Sequence, residues 1–257
     1  TTSFSPSMSK NELANSSSAR LNNYPILGSQ ARNAEEKMVY FGPWETYFLI
    51  AEALERQWIT SGDVKGITAE EAYNKAIELS FIHFGVSEYY EDYIKSETYN
   101  RIGTSVAYTH TTPASAETMQ YIDGYTNKNV TVQYQYPDGS RTLYGGQLND
   151  HLSKIFTQKY IAQLPYLVQE CWSDYRRVGL PFFDIPANEK MMTGTDMTEW
   201  KPDSWTSGQK WQYYPQRMRY PTTLDNANPT EYNHALELLG GANTTMVPLW
   251  WSMGAIK

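Results

Sequence analysis

Over the first 42 residues Ser, Asn and Ala predominate and apolar positions recur with no sustained period, which predicts an extended or loop-like segment. Regular patterning begins after Pro43, a residue suited to the first position of a helix. In WETYFLIAEALERQW the side chains of Trp44, Tyr47, Phe48, Ala51 and Leu54 recur at three- and four-residue steps and form one helix face. Gly62-Asp63 and Gly66 interrupt that pattern. Thr68, three residues before Glu71, is a capping-box arrangement and predicts a second helix through AEEAYNKAIELSFIHFG, stopped at Gly85. A third helix is predicted over SEYYEDYIKSETY with Ser87 as its N-cap. Residues 100–147 are irregular, punctuated by Gly103, Pro113, Gly124, Pro137-Asp138-Gly139 and Gly145-Gly146. Within them NVTVQYQYPDGSRTLY alternates and ends in a turn, the signature of a short hairpin. A long helix is predicted from about Leu148 to Tyr175, kinked or divided at Pro165. Residues 179–228 read as long Pro- and Gly-rich loops. A last helix, TEYNHALELLG, is expected to be capped by Thr230 and stopped by Gly240-Gly241, and the tail ends in PLWW, an apolar anchor.

In the second helix Ala69, Tyr73 and Ala76 are spaced by four and three, so that a neighbouring helix can approach closely. That spacing matches the second helix of a tetratricopeptide repeat, and the preceding helix completes a helix–turn–helix unit. The expected fold class is mainly α: tetratricopeptide-like helix pairs with long irregular loops and a short β-hairpin. Residues 1–257 read as a single domain. Residues 1–42 are extended or loop, 43–98 repeat-like helices, 99–147 an irregular excursion, and 148–257 C-terminal helices and loops. Long loops inside a compact domain are uncommon and often functional.

Composition narrows the function. Hydrophobic residues make up 40% and charged residues 19%, the balance of a folded protein. Net charge is −7, and the longest basic cluster is Arg176-Arg177, so no nucleic-acid partner is expected. No apolar run reaches the roughly 20 residues of a membrane span. The start, TTSFSPSMSK, lacks an apolar signal core and an initiating Met, so the chain reads as a mature form or a fragment. The single cysteine, Cys171, rules out an internal disulfide. Aromatic residues reach 14%, with 21 Tyr and 8 Trp. Flat apolar rings with polar edges suit sugars, which present C–H faces and polar rims.

No catalytic motif emerges. His83, His110, His151 and His234 are scattered and form no metal-binding pair, so neither metal nor cofactor is expected. His83 lies in an apolar helical stretch and reads as a packed, hydrogen-bonded residue. Cys171, beside Trp172 in a helix, reads as buried packing. No glycine-rich phosphate loop and no nucleophile elbow occur. Glycosidases use two carboxylates at fixed separation, but 28 acids give no means of choosing a pair from sequence. Three stretches are candidates for ligand contact: Trp200, Trp205, Trp211, Tyr213 and Tyr214; then Tyr121, Tyr125, Tyr134, Tyr136 and Tyr144; and the N-terminal Asn22, Asn23 and Tyr24. From these, Trp200, Trp205, Trp211, Tyr213, Tyr134, Tyr136 and Tyr24 are taken as candidate ligand-binding residues.

Several motifs, in order, resemble the SusD/RagB family, and most closely the subgroup called SusD-like family two. PWETYFLIAEALERQWITSGD, with Ala51-Glu52-Ala53, is similar to the family's "AE" helix, and AYNKAIELS to the helix that follows it. IFTQKYIAQLPYLVQECWSDYRRVGLP resembles a later helix, chiefly through Gln158-Lys159-Tyr160 and Trp172-Ser173-Asp174-Tyr175-Arg176-Arg177. PQRMRYP followed by NPTEYNHALELLGG resembles the C-terminal signature. The resemblance spans roughly residues 40–257 and implies a tetratricopeptide-built scaffold, lipid-anchored at the outer face of the bacterial outer membrane. It also implies non-catalytic binding of an oligosaccharide or polysaccharide and delivery to a SusC-type TonB-dependent transporter. Family members are typically about twice this length, so the chain resembles a C-terminal portion whose signal peptide and lipid anchor lie outside it. Asp174, Arg176 and Arg177, at a helix end, are expected to cap and ion-pair rather than touch ligand. Two other classes stay open at this point: a tetratricopeptide-like scaffold for a protein or peptide, and a helical glycoside hydrolase or lyase. A concave cluster of Trp200, Trp205 or Trp211 would favour sugar, a flat apolar patch protein, and a facing carboxylate pair hydrolysis.

Overall fold

In the computed structural model the described residues are 35, 39–100, 102–115, 117–122, 129–134, 147–183, 216–240, 243–245, 247, 249 and 251. Pro43 does open the first helix, α1 (Pro43–Glu55), and Trp44, Phe48 and Ala51 form its buried stripe. A short 3₁₀ turn (Ser61–Val64) leads to α2 (Ala69–Phe84). Its capping box is complete: the Glu71 amide donates to Thr68 Oγ1 at 3.2 Å, and the Thr68 amide donates to Glu71 Oε2 at 2.8 Å. Gly85 ends α2 in the left-handed conformation, φ 68°. Of the three residues singled out by spacing, Tyr73 and Ala76 are fully buried in the core with α1, whereas Ala69 is only partly buried at its edge and Ala72 takes the buried position beside Tyr73. Trp44, at the start of α1, meets His83 and Phe84 at the end of α2, so the two helices run antiparallel.

The third helix is shorter than its sequence pattern suggests. Residues Ser87–Tyr89 form a 3₁₀ turn whose N-cap is Val86, not Ser87, and α3 covers only Tyr90–Ile94. The acid-rich segment EYYED has few apolar positions to bury. Its tyrosines instead reach back, with Tyr90 Oη donating to the Asn74 carbonyl at 3.2 Å and Tyr93 Oη to Gln158 Oε1 at 2.9 Å. NVTVQY does form a hairpin strand, and its described partner lies upstream. Strand β1 (Glu117–Ile122) pairs antiparallel with β2 (Asn129–Tyr134), Glu117 opposite Tyr134 and Ile122 opposite Asn129. NVTVQY therefore pairs with the strand before it, and Pro137-Asp138-Gly139 lies outside the described residues.

The long helix divides at Pro165, which cannot donate to an interior helical bond. Its first half, α4 (His151–Gln163), is capped by Asp150, whose Oδ1 accepts from the Ser153 amide at 2.6 Å. The second half, α5 (Val168–Val178), folds back along α4 and ends at Gly179. Farther on come α6 (Thr223–Ala227) and α7 (Pro229–Leu239). The cap of α7 is Asn228, whose Oδ1 accepts from the Glu231 amide at 3.4 Å, rather than Thr230. Pro229 takes the first helical position and moves the cap two residues toward the N-terminus.

The core lies between α1, α2 and α4, with Val106 and Tyr108 of the following loop and Ile155 and Ala162 of α4 closing it. Tyr73 Oη donates to the Val106 carbonyl at 2.8 Å, which pins that loop to the helix pair. Antiparallel to α1, α4 places Gln163 at the start of α1 and His151 at its end. Segment 216–220 runs beside 243–245: Asn243 Nδ2 donates to the Tyr220 carbonyl at 2.9 Å and the Gln216 amide to the Thr245 carbonyl at 2.7 Å.

Gly42 has an ordinary φ of −97°, yet a Cβ there would stand 2.2 Å from Cε2 and Cζ2 of Trp44. Gly42→Ala must therefore push the indole out of its slot. The expected loss is about 1–3 kcal/mol, the usual range for overpacking. It should read as a lower urea midpoint with an unchanged slope.

Candidate functional site

The motif residues that carry the family resemblance converge on one buried chain of charges. Glu52 of α1 accepts a bidentate pair from Arg177 of α5, Nη1 to Oε1 at 2.7 Å and Nη2 to Oε2 at 2.8 Å. Arg56 Nε adds a third bond to Oε1 at 2.9 Å. Arg177 also donates to Asp174 Oδ1 at 3.0 Å. The other Asp174 oxygen pairs with Lys159 Nζ at 2.8 Å, and Lys159 continues to Glu45 Oε1 at 2.7 Å. Glu45 Oε2 accepts from Gln163 Nε2 at 2.8 Å, and Gln163 Oε1 accepts from Cys171 Sγ at 3.1 Å. Glu52 and Lys159 side chains are each only 4% exposed, so these pairs act with little screening by water. Burial alone would raise the Glu52 carboxyl, but the Arg177 and Arg56 guanidiniums hold it below its ordinary value. Burial opposes the Lys159 charge, and Asp174 and Glu45 overcome it. Burial, then Asp174, pushes the Cys171 thiol up to about 12, so it is an inert packing group.

A second buried centre joins α4 to the loop after α3. Lys154 has no exposed surface. Its ammonium donates to the Ser105 carbonyl at 2.8 Å, Ser105 Oγ at 2.7 Å and Asn149 Oδ1 at 2.7 Å. Asn149, in the left-handed region at φ 65°, also donates to the carbonyls of His110 and Thr112. Burial lowers Lys154 to about 8, with Asp150 pulling the other way. Ser105 Oγ is 2.9 Å from His110 Nδ1, which places serine, lysine and histidine together. Ser105 is 1% exposed, so the trio has no access for a substrate and acts as a clamp.

At the far end of α1, Tyr108 Oη donates to Glu55 Oε1, and His151 Nδ1 lies 3.1 Å from the same oxygen. The Tyr108 and His151 rings stack at 4.1 Å. Burial, then the Glu55 contact, raises the Tyr108 phenol well above its usual range. The opposite end of the helix pair is aromatic and exposed: Tyr40 at 81%, Phe41 at 62% and Phe84 at 43%. His83 belongs to this end. It is exposed, not packed as its sequence position suggests, because it falls on the solvent side of the last turn of α2, and its ring leans on Trp44 at 4.9 Å.

Of the candidate contact residues, Trp200, Trp205, Trp211, Tyr213, Tyr136 and Tyr24 lie outside the described residues, and Tyr134 ends β2. Asp174 and Arg177 ion-pair as expected, while Arg176 stacks on Trp172 at 3.8 Å and faces Trp251 at 5.1 Å, so the apolar tail does anchor on α5. Sequence reasoning missed Lys154 and Asn149. A lysine in a helix normally reads as solvated, and only Asn149 directly before the Asp150 cap offered a hint of special backbone. Among the described residues no group of three His, Cys, Asp or Glu side chains is placed to hold a metal ion, and no helix is long and apolar enough to cross a membrane.

The family model described as SusD-like, Susd and RagB outer membrane lipoprotein, matches residues 9–252. No curated protein matches the chain. Among solved structures, a chitin-binding SusD homolog from Flavobacterium johnsoniae is similar at 23% identity and a TM-score of 0.50, over 82% of this chain and 36% of that one. A SusD homolog from Bacteroides vulgatus ATCC 8482 is similar at 22% identity and a TM-score of 0.46, over 82% of this chain and 35% of that one. The chain thus spans about a third of the length of these structures.

Two measurements test the buried centres. Arg177→Met removes two of the three bonds to Glu52, and uncompensated buried charges of this kind cost about 3–5 kcal/mol. The Glu52 carboxyl is depressed in the folded chain, so its contribution is present above its ordinary 4.5 and is lost as pH falls below it. The gap between wild type and variant in urea unfolding should therefore narrow toward acid pH. Lys154 behaves oppositely. The unfolded chain holds its proton to 10.5 and the folded one only to about 8, so stability rises with pH across that window. Unfolding curves at about pH 7.5 and about pH 9.5 should show wild type gaining stability relative to Lys154→Met, since Cys171 and the buried tyrosines, whose titration pulls the other way, contribute alike to both proteins.

Proposed function

The chain belongs to the SusD and RagB family of outer membrane lipoproteins, and we propose that it serves in non-catalytic glycan capture at the outer face of the bacterial outer membrane. In this reading it forms part of a protein that binds an oligosaccharide or polysaccharide and passes it to a SusC-type TonB-dependent transporter. The family match over residues 9–252 carries the proposal. The chitin-binding description of one similar structure is consistent with a glycan ligand.

The chemistry of the frame supports binding over turnover. Glu45 and Glu52 are buried, Asp174 is partly so, and each is held by a cation. Such carboxylates can neither reach a glycosidic oxygen nor give up a proton readily, whereas glycoside hydrolysis needs two that face a cleft. The aromatic side chains that remain at the surface are the sort that receive a sugar's C–H face.

Calorimetry of the protein against malto-, cello-, xylo- and chito-oligosaccharides should find one class that binds, with no reducing ends released on prolonged incubation. Silence toward every glycan, together with tight binding of a peptide, would overturn the proposal in favour of a protein-binding scaffold.

A further inference from the structure

Two neighbouring arginines near the end of α5 are used in opposite ways. Arg177 is spent inside the frame: Glu52 and Asp174 take its guanidinium and overcome the burial that opposes its charge. Arg176 has no acidic partner among the described residues, although the chain carries 28 acids. Its one hydrogen bond there runs from Nη1 to the Gln216 carbonyl and is long, at 3.4 Å. Nε is buried without a partner, whereas Nη2 is neither bonded nor buried, so the outer edge of the guanidinium reaches the surface. Burial draws the Arg176 charge below its ordinary value, and no carboxylate opposes that pull. What holds the side chain is aromatic. The guanidinium lies 3.8 Å from the centre of the Trp172 ring and 5.1 Å from that of Trp251. Stacking occupies the face of a guanidinium and leaves its N–H bonds in plane, at the rim. Trp172, Arg176 and Trp251 each keep part of their surface exposed.

We infer that Arg176 is the contact for a carboxylate carried by the captured glycan, that of a uronic acid unit, an inference that rests on the glycan-binding reading above. The chemistry of the side chain selects this ligand. The outer edge of a guanidinium is a planar fork, with Nη1 and Nη2 hydrogens side by side, and it matches the two coplanar oxygens of a carboxylate. One cation without a counter-charge matches one negative charge. The flanking indoles hold the fork in a fixed plane, and their apolar surface is of the kind that receives the C–H face of the same sugar. A neutral sugar would leave the cation without a counter-charge, and an aliphatic surface would only bury it further.

The test adds oligogalacturonate and oligoglucuronate to the calorimetric panel, each beside its methyl ester, which keeps the shape of the sugar and removes the charge. One of the two acids should bind about tenfold more tightly than its ester, and the difference should shrink as salt is raised. Arg176→Gln should remove that difference. Phenylglyoxal, which attaches to accessible guanidiniums, carries the test on wild type if Arg176→Gln fails to fold. Peptide mapping should find Arg176 modified before Arg177, and the acidic oligosaccharide, but not its ester, should protect it. Equal binding of acid and ester, an undiminished preference for acid in Arg176→Gln, or no protection of Arg176 overturns this site. A neutral or sulfated glycan bound while both uronates are not also overturns it, and leaves the glycan function standing. Failure to bind any glycan, neutral or acidic, overturns both readings together.

Discussion

Everything in the helical frame is arranged around the bidentate pair between Glu52 and Arg177. It joins α1 to α5, elements that are remote in sequence, and continues through Asp174, Lys159 and Glu45 to tie α4 between them. Ion pairs this deeply buried gain little net stability over an apolar core, since desolvation offsets most of their attraction. Their geometry is what distinguishes them. An apolar contact tolerates a helix sliding by a residue, whereas two parallel N–H···O bonds 2.7 and 2.8 Å long do not. The pair therefore sets the register of α5 against α1.

Much of this frame was legible in the sequence, and the reasons differ from element to element. Pro43, the Thr68–Glu71 box, Gly85 and the Gly240 stop are local signals, and local hydrogen bonds settle them. Tyr73 and Ala76 were readable as a buried face because residues at helical spacing meet the same neighbour, whereas Ala69, one turn earlier at the helix start, is only partly covered. The misjudged elements turn on competition. Pro229 and Asn228 outcompeted Thr230 for the start of α7. NVTVQY has its described partner upstream, in Glu117–Ile122, a choice that alternation alone cannot make.

The charged motif residues show how resemblance and physics divide the work. Sequence patterns identified Ala51-Glu52-Ala53 and the Trp172 to Arg177 segment as recognisable, yet only the fold shows them meeting. Lysines give the clearest limit. Lys154 and Lys159 sit on one helix and look alike in sequence, but one faces two carboxylates and the other only neutral acceptors. Burial consequently raises questions of protonation for Lys154 alone. Trp44 reads as a core residue and is one, and its unmet N–H has no sequence signature.

Between Glu52 and Arg177 the chain makes a circuit of 125 residues, and the excursion carrying β1 and β2 hangs within it. Closing a loop costs entropy that grows only with the logarithm of its length, about 0.6 kcal/mol for each doubling. Segments inserted into that circuit therefore tax the frame very little, provided the two ends still meet at the same pair of side chains. A clasp of this kind separates change into two compartments: the residues at the buckle, and the helices packed between its ends, are constrained by angstrom-scale geometry, while the excursion that carries β1 and β2 is much freer in length and composition.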